Sequence, residues 1–293
     1  MGFGEKTGKT PLIEQKMKEK EDVLKDIDFN SIYTEDVKAI KHRGKKVVMV
    51  FGDKNDGKTV VTYGMMDDND TALVLSFDNM SDRPIDSEEG LAFLKDAPLT
   101  IKVINAAQYY STADKVVMLE TAALTYAFVD RILTDFADPE NTIAKINGDR
   151  PDWVIIDGTE RMTRILEMCM RKNNGIPVIG GVPQQVWMDR RNMFDNIYNK
   201  SLNLSKKGVI YTSYCDVREL VDDFTIKNKK EYPKWFYDLK EETGIEIRAM
   251  AKRDGKTPKY IAKISGSKYP NSFPDGEYDV TNKRLIEVIH GED

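Results

Sequence analysis

The sequence predicts an α/β fold: a mostly parallel sheet flanked by helices, with an antiparallel β-hairpin near its C-terminal end. Three observations predict it. Gly52-Asp53-Lys54-Asn55-Asp56-Gly57-Lys58-Thr59 is a complete G-x-x-x-x-G-K-[ST] phosphate-binding loop. It stands between a buried-strand pattern, Val47-Val48-Met49-Val50-Phe51, and a segment able to continue as a helix, Val60 to Met65. Further along, Trp153-Val154-Ile155-Ile156-Asp157 is an apolar run closed by an aspartate, as expected of a strand buried on both faces of a parallel sheet. In the C-terminal third the pattern switches to period two, in Glu246–Ala251 and Lys259–Ile264, around Arg253-Asp254-Gly255-Lys256. That is a hairpin signature with an Asp-Gly turn.

Composition narrows the function classes. The chain has 293 residues, 40% hydrophobic and 32% charged, as in a soluble, charge-rich globular protein of one large or two small domains. We divide it into a lysine- and glutamate-rich N-terminal arm, 1–44, and a nucleotide-binding domain, 45–293, that includes the hairpin. No apolar run approaches the roughly 18 residues of a membrane span, and no secretory leader pattern opens the chain, so no membrane partner is expected. The two cysteines, Cys169 and Cys215, and two histidines, His42 and His290, exclude a disulfide framework and lack zinc-ligand spacing. Both cysteines read as buried thiols, and the compartment as reducing and cytoplasmic. A net charge of -5 gives no whole-protein basic field for nucleic acid or membrane.

The elements follow in order. Leu12 to Lys25 can form an exposed helix within the arm. Gly2 to Thr10 also ends in Gly-Lys-Thr, but Phe3 stands where the first glycine belongs and no strand precedes it, so it is read as a chance near-repeat. Ala72–Phe77 is a second strand ending at Asp78, followed by a turn-rich stretch from Asn79 to Glu89. Leu99–Ile104 is a third strand. Lys115 to Phe136 has helical periodicity, with Val116, Leu119, Ala123, Tyr126 and Ala127 on one face and Asp138-Pro139 as the stop. Trp187 leads into a helix through Leu202, and Lys207–Tyr214 is a further strand with hydroxyl residues at its end.

The chemistry concentrates at strand ends. Gly52 and Gly57 let the loop curl so that its N–H groups face phosphate oxygens, and the helix opening at Lys58 presents its positive end. The nucleotide-binding set is therefore Gly52, Asp53, Lys54, Asn55, Asp56, Gly57, Lys58, Thr59 and Val60. Lys58 would reach the β- and γ-phosphates of ATP, and the Thr59 hydroxyl would ligate Mg²⁺. Asp157 emerges at the C-terminal edge of the sheet, where ligands of open α/β folds bind, and is the second metal residue. Two carboxylates compete to orient the attacking water: Glu160, in Asp157-Gly158-Thr159-Glu160, and Asp78, at the end of a neighbouring strand. Thr212 and Ser213 are candidates for sensing the γ-phosphate. Arg190 and Arg191 are a solvated basic pair, charge sensors or nucleic-acid contacts. Lys227, Lys229, Lys230, Lys234, Arg248, Lys252, Arg253, Lys256 and Lys259 make the C-terminal region basic, with Tyr232, Trp235, Phe236 and Tyr237 among them. Such a mixture either binds single-stranded nucleic acid or is a hairpin with packed aromatics and solvated lysines.

The order of these parts, ending in Ile264-Ser265-Gly266-Ser267-Lys268, resembles the RecA-fold P-loop ATPases, in particular the compact phage and archaeal-virus type, over about residues 45–285. The resemblance implies ATP and Mg²⁺ as cofactors and a role in DNA recombination, annealing or replication. It also implies single-stranded DNA and an annealing or replication protein as partners, head-to-tail oligomers, and the cytoplasm of a virus-infected prokaryote. By the same resemblance Lys268 would reach a neighbouring subunit's nucleotide as a catalytic residue. The paired glycine-rich DNA-binding loops of true recombinases are not recognisable. The alternatives are a DNA motor, either helicase or packaging enzyme, and a slowly hydrolysing, nucleotide-gated assembly module.

Overall fold

The computed structural model describes residues 44–78, 97–134, 143–222, 225–234, 239, 241–253 and 258–291, and of 217–230 the backbone. The near-repeat at 2–10, the helix expected at 12–25, the turn-rich stretch from Asn79, the Asp138-Pro139 stop, Trp235–Tyr237 and the Asp254-Gly255 turn lie outside the described residues.

Strands β1 (Lys46–Phe51), β2 (Thr71–Ser76), β3 (Thr100–Asn105), β4 (Trp153–Asp157), β5 (Gly208–Ser213), β8 (Ile245–Arg253), β9 (Pro258–Ser265) and β10 (Gly276–Asp279) form one eight-stranded sheet in the order β10-β9-β8-β1-β5-β4-β2-β3. The six strands from β8 to β3 pair in parallel, while β9 and β10 are antiparallel. The expected mostly parallel sheet with antiparallel C-terminal strands is thus present. One detail differs: β8, the first arm of the hairpin, joins the parallel set beside β1. A second sheet, β6 (Cys215–Asp222) with β7 (Thr225–Pro233), is a two-stranded antiparallel ribbon that the sequence reading missed. Its charges interrupt any apolar alternation.

The central strands are buried on both faces, which is why they read as unbroken apolar runs. Val47, Met49 and Phe51 of β1 face one core, with α2 (Lys115–Thr134), α3 (Thr159–Asn173) and α4 (Trp187–Leu204) packed over it. Val48 and Val50 face the other, under α1 (Lys58–Gly64) and α5 (Leu285–His290). Each such side chain contributes about 1.5–3 kcal/mol by leaving water. α2 is rotated from the expected stripe. Met118, Ala122, Thr125, Val129, Ile132 and Leu133 are its buried positions, and Val116 is 70% exposed. A helix with apolar residues on every side carries little phase information. Cys169 is buried as expected, but Cys215 is only half-buried, because it opens the ribbon rather than continuing β5.

At the N-terminal edge of the sheet, the Asp70 carboxylate is 3% exposed. It accepts from Trp153 Nε1 at 2.8 Å, Lys207 Nζ at 2.6 Å and the Asp67 amide at 3.0 Å. These bonds join the turn before β2 to β4 and to the residue preceding β5. Asp70→Ala should therefore cost about 2 kcal/mol, chiefly because it strands a buried indole N–H, while Lys207 keeps Asp67 as a partner. Asp70→Asn, which keeps an acceptor for the indole, should cost less. Urea unfolding of the two variants checks this order.

Candidate functional site

Parallel pairing brings the ends of β1, β5, β4 and β2 to one edge of the sheet, and the predicted loop, Thr212 and Ser213, Asp157 and Asp78 all emerge there. The loop leaves β1 at Gly52, whose amide bonds the Ser213 carbonyl at 3.1 Å. It turns through Asn55, at φ +68°, and Gly57, at φ +81°, into α1. Asp53, Lys54 and Asn55 are exposed. Asp56 is folded inward, accepting from the Asp53 amide at 2.8 Å. Val60 buries its side chain in the second core, so any contact of this residue with nucleotide would be made by its main chain.

Lys58 is half-buried rather than a surface charge. Its ammonium donates to the carbonyls of Gly52 and Asp53, both at 2.9 Å, and lies 4.3 Å from the centre of the Tyr214 ring. Burial lowers its pKa, while Glu160, Asp157, Asp56 and Asp78 act in the opposite direction. This is a cation held at the mouth of the loop among carboxylates, placed to meet an anion.

Thr59, Thr62, Asp157 and Thr212 line one small cleft under the loop. Thr212 Oγ1 donates to Asp157 Oδ1 at 2.5 Å and accepts from the Gly158 amide at 3.0 Å, which fixes the carboxylate's orientation. Thr62 Oγ1, buried in the same cleft, has no hydrogen-bond partner among the described residues. A hydroxyl and an oriented carboxylate are hard oxygen donors, so Thr59 and Asp157 fit Mg²⁺. Among the described residues no three His, Cys, Asp or Glu side chains close into a ready-made metal cage, so phosphate oxygens would complete the coordination.

The two rival carboxylates have different surroundings. Glu160, in the first turn of α3, accepts from the Tyr214 amide, and its Oε1 lies 2.7 Å from Ser213 Oγ. It ties α3 to the end of β5. Asp78 has no hydrogen-bond donor among the described residues, and its carboxyl lies against the backbone of Gly158. A Cβ on Gly158 would sit 2.7 Å from Asp78 Cγ, and Gly158 has φ +87°, so glycine is required there both for space and for backbone conformation. Burial pushes the Asp78 pKa up to about 6, with Asp157 and Glu160 acting in the same direction and Arg161 and Lys58 against it.

Several predicted residues are not brought to this edge. Lys268 donates its amide to Gly244 O and its ammonium to Glu241 O. Gly244 in turn bonds Val47 at the start of β1, so Lys268 lies at the opposite edge of the sheet and is no part of its own chain's site. Arg190 lies 5.3 Å from the Trp187 ring at the start of α4, and Arg191 is exposed. Arg248, read as part of a basic patch, is 9% exposed and ion-paired to Asp56 and Glu231, so it cannot serve as a surface contact. Tyr214, Gly158 and Arg248 are the site residues that the sequence reading missed. Position directly after a strand-end motif could have flagged the first two. Nothing local marks Arg248, whose partner Asp56 is 192 residues away.

No protein-family model matches the sequence, and neither does any curated protein. Among solved structures the chain is similar to flagellar accessory protein FlaH from Methanocaldococcus jannaschii, at 12% identity and a TM-score of 0.37, over 84% of this chain and 91% of that one.

The raised Asp78 pKa has a sign that can be checked. The folded chain holds this proton more tightly than the unfolded chain does between the ordinary carboxylate range and about pH 6. The nucleotide-free protein should therefore lose stability as pH rises from about 4 to about 6, with no further change above that. Asp78→Asn should flatten this segment of the stability–pH curve. Urea titrations across the range measure it, and an unchanged slope would assign the effect to other groups. Gly158→Ala should displace Asp78 and cost about 1–3 kcal/mol from the backbone conformation alone.

Proposed function

We propose that the chain is a Mg²⁺-dependent RecA-like P-loop ATPase. The observation that carries this reading is the convergence, at one sheet edge, of a complete phosphate loop, Lys58, Thr59, an Asp157 oriented by Thr212, and Asp78. The loop amides and Lys58 bind and orient the β- and γ-phosphates. Lys58 exchanges the Gly52 and Asp53 carbonyls for phosphate oxygens, which neutralises charge where it develops. Mg²⁺, held by Thr59 and Asp157, supplies further neutralisation of the phosphates. Asp78 orients the attacking water, because Glu160 is already engaged by the Tyr214 amide and faces Ser213. Glu160 and Ser213 together hold the β5 end that closes the site.

Lys58→Ala should fold and lose ATP turnover by at least about a hundredfold. Asp78→Asn should bind ATP and lose turnover. Glu160→Gln, which still offers an acceptor to Tyr214, should stay within several-fold of wild type. Steady-state phosphate release with parallel nucleotide binding separates these outcomes. Turnover lost in Glu160→Gln and kept in Asp78→Asn would reverse the assignment. Nucleotide binding without turnover in wild type would favour the gated assembly module.

The client in this reading is single-stranded DNA, in recombination, annealing or replication, with an annealing or replication protein as a further partner. Exposed Lys252 and Lys259, paired across β8 and β9 at the same edge as the phosphate loop, support a polyanion there. The likeness in part order to RecA-fold proteins supports DNA. Lys268, at the opposite edge, can meet a nucleotide only in another copy, which supports head-to-tail assembly. Fluorescence anisotropy of a labelled oligonucleotide should show binding that weakens steeply with salt, and light scattering should show ATP-promoted association. A protein indifferent to single-stranded DNA at low salt would remove the DNA client from this reading.

A further inference from the structure

The phosphate loop carries two acidic residues of its own, Asp53 and Asp56, in a site meant for a polyanion. The structure shows how one of them is handled. The Arg248 guanidinium, on β8, donates from Nη1 to Asp56 Oδ2 at 2.8 Å and from Nε to Glu231 Oε2 of β7 at 2.7 Å. Nη1 also meets the neighbouring Ala249 carbonyl, and Nη2 is 3.9 Å from Asp53. With its side chain 10% exposed and Asp56's 17% exposed, the pair sits in a poorly solvated place where Coulomb terms are large. Asp56 in turn receives the Asp53 amide at 2.8 Å and the Ala251 amide at 3.4 Å, so one carboxylate clamps both ends of the loop's exposed arch to β8. The approach is close. A Cβ on Gly52 would lie 2.6 Å from Ala249 O and 3.0 Å from Arg248 Nη1, so the first glycine of the motif is also the seat of this contact.

We propose that Arg248 is a positioning residue for the phosphate loop: it neutralises Asp56 and holds it as the clamp that keeps the loop open for phosphates, with Glu231 of the β6–β7 ribbon fixing the guanidinium's aim. The proposal rests on the nucleotide-binding reading above and adds to it a residue outside the motif. Replacing Arg248 leaves an uncompensated carboxylate beside the bound phosphates. Removing that carboxylate as well relieves the repulsion. A residue that merely supported β8 would show no such relief.

The test is a double-mutant cycle on the full chain, read by equilibrium binding of a fluorescent N-methylanthraniloyl ATP, with thermal unfolding of each variant measured alongside. Arg248→Met should raise Kd by about tenfold or more. Asp56→Asn alone, which keeps an acceptor for the loop amides and removes the repelling charge, should weaken binding less than Arg248→Met does. The double variant Arg248→Met/Asp56→Asn should recover most of the lost affinity. The loss in Arg248→Met should be smaller for the diphosphate than for the triphosphate, because the repelled charge is smaller. If Arg248→Met fails to fold, Arg248→Gln, which keeps a donor to Asp56 but no charge, is read in both backgrounds in the same way. Wild-type affinity in the charge-removing variant, or a double variant as weak as the single one, overturns the proposal. A wild-type chain that binds no triphosphate overturns the nucleotide-binding reading instead, so the two failures are distinct.

Discussion

β1 is hydrogen-bonded along both edges to parallel strands, β5 on one side and β8 on the other, and buried on both faces. Everything in the site follows from that constraint. A strand so enclosed has one register, because a slip by one residue would exchange its two core faces. Its neighbours must end where it ends. The loop that leaves β1, the hydroxyls that end β5, the aspartate that ends β4 and the carboxylate that follows β2 are therefore delivered to one edge with no direct bond required between them. The local bonds then refine the placement: Gly52 to Ser213, Thr212 to Asp157, and Glu160 to the Tyr214 amide.

The charge at that edge is net acidic before any ligand is considered. Asp78, Asp157 and Glu160 face Lys58, and Asp53 and Asp56 face Arg248. Arg248 is taken up by Asp56 and Glu231 and Glu160 by the end of β5, which leaves Asp157, Asp78 and Lys58 facing the cleft. The pressure of crowding three carboxylates falls on Asp78, whose raised pKa reflects burial first and its acidic neighbours second. Thr212 and the Tyr214 amide donate hydrogen bonds to the other two.

A different economy operates at the N-terminal edge, where Asp70, Trp153 and Lys207 lock the turn before β2 to the strands beside it. Asp70 and Trp153 are buried and Lys207 is partly exposed; the three are mutually satisfied, and they hold the sheet rather than a ligand. Separating the two edges allows the loop edge to carry a Thr62 hydroxyl unpartnered among the described residues and closely spaced like charges that a folding core would not tolerate.

How much of this was legible in the sequence differs by element. The central strands and the loop were legible because burial on both faces and a phosphate-binding turn each impose residue types on consecutive positions. Gly52, Gly57, Lys58, Thr59 and Asp157 were readable for that reason, and so was the hairpin of β8 and β9. The face of α2 was not, since a helix rich in apolar residues all round takes its phase from the sheet it packs on. The ribbon of β6 and β7 was hidden by its charges. The sequence alone thus determined the α/β class, the phosphate loop and the set of candidate carboxylates, all of which rest on local pattern. Only the tertiary structure decided which carboxylate is engaged and which faces the site, that Lys268 lies at the far edge, and that Arg248 belongs to the loop rather than to a basic surface. Those facts are pairings across 54 residues for Glu160 and 192 for Arg248, and no local pattern encodes a partner that distant.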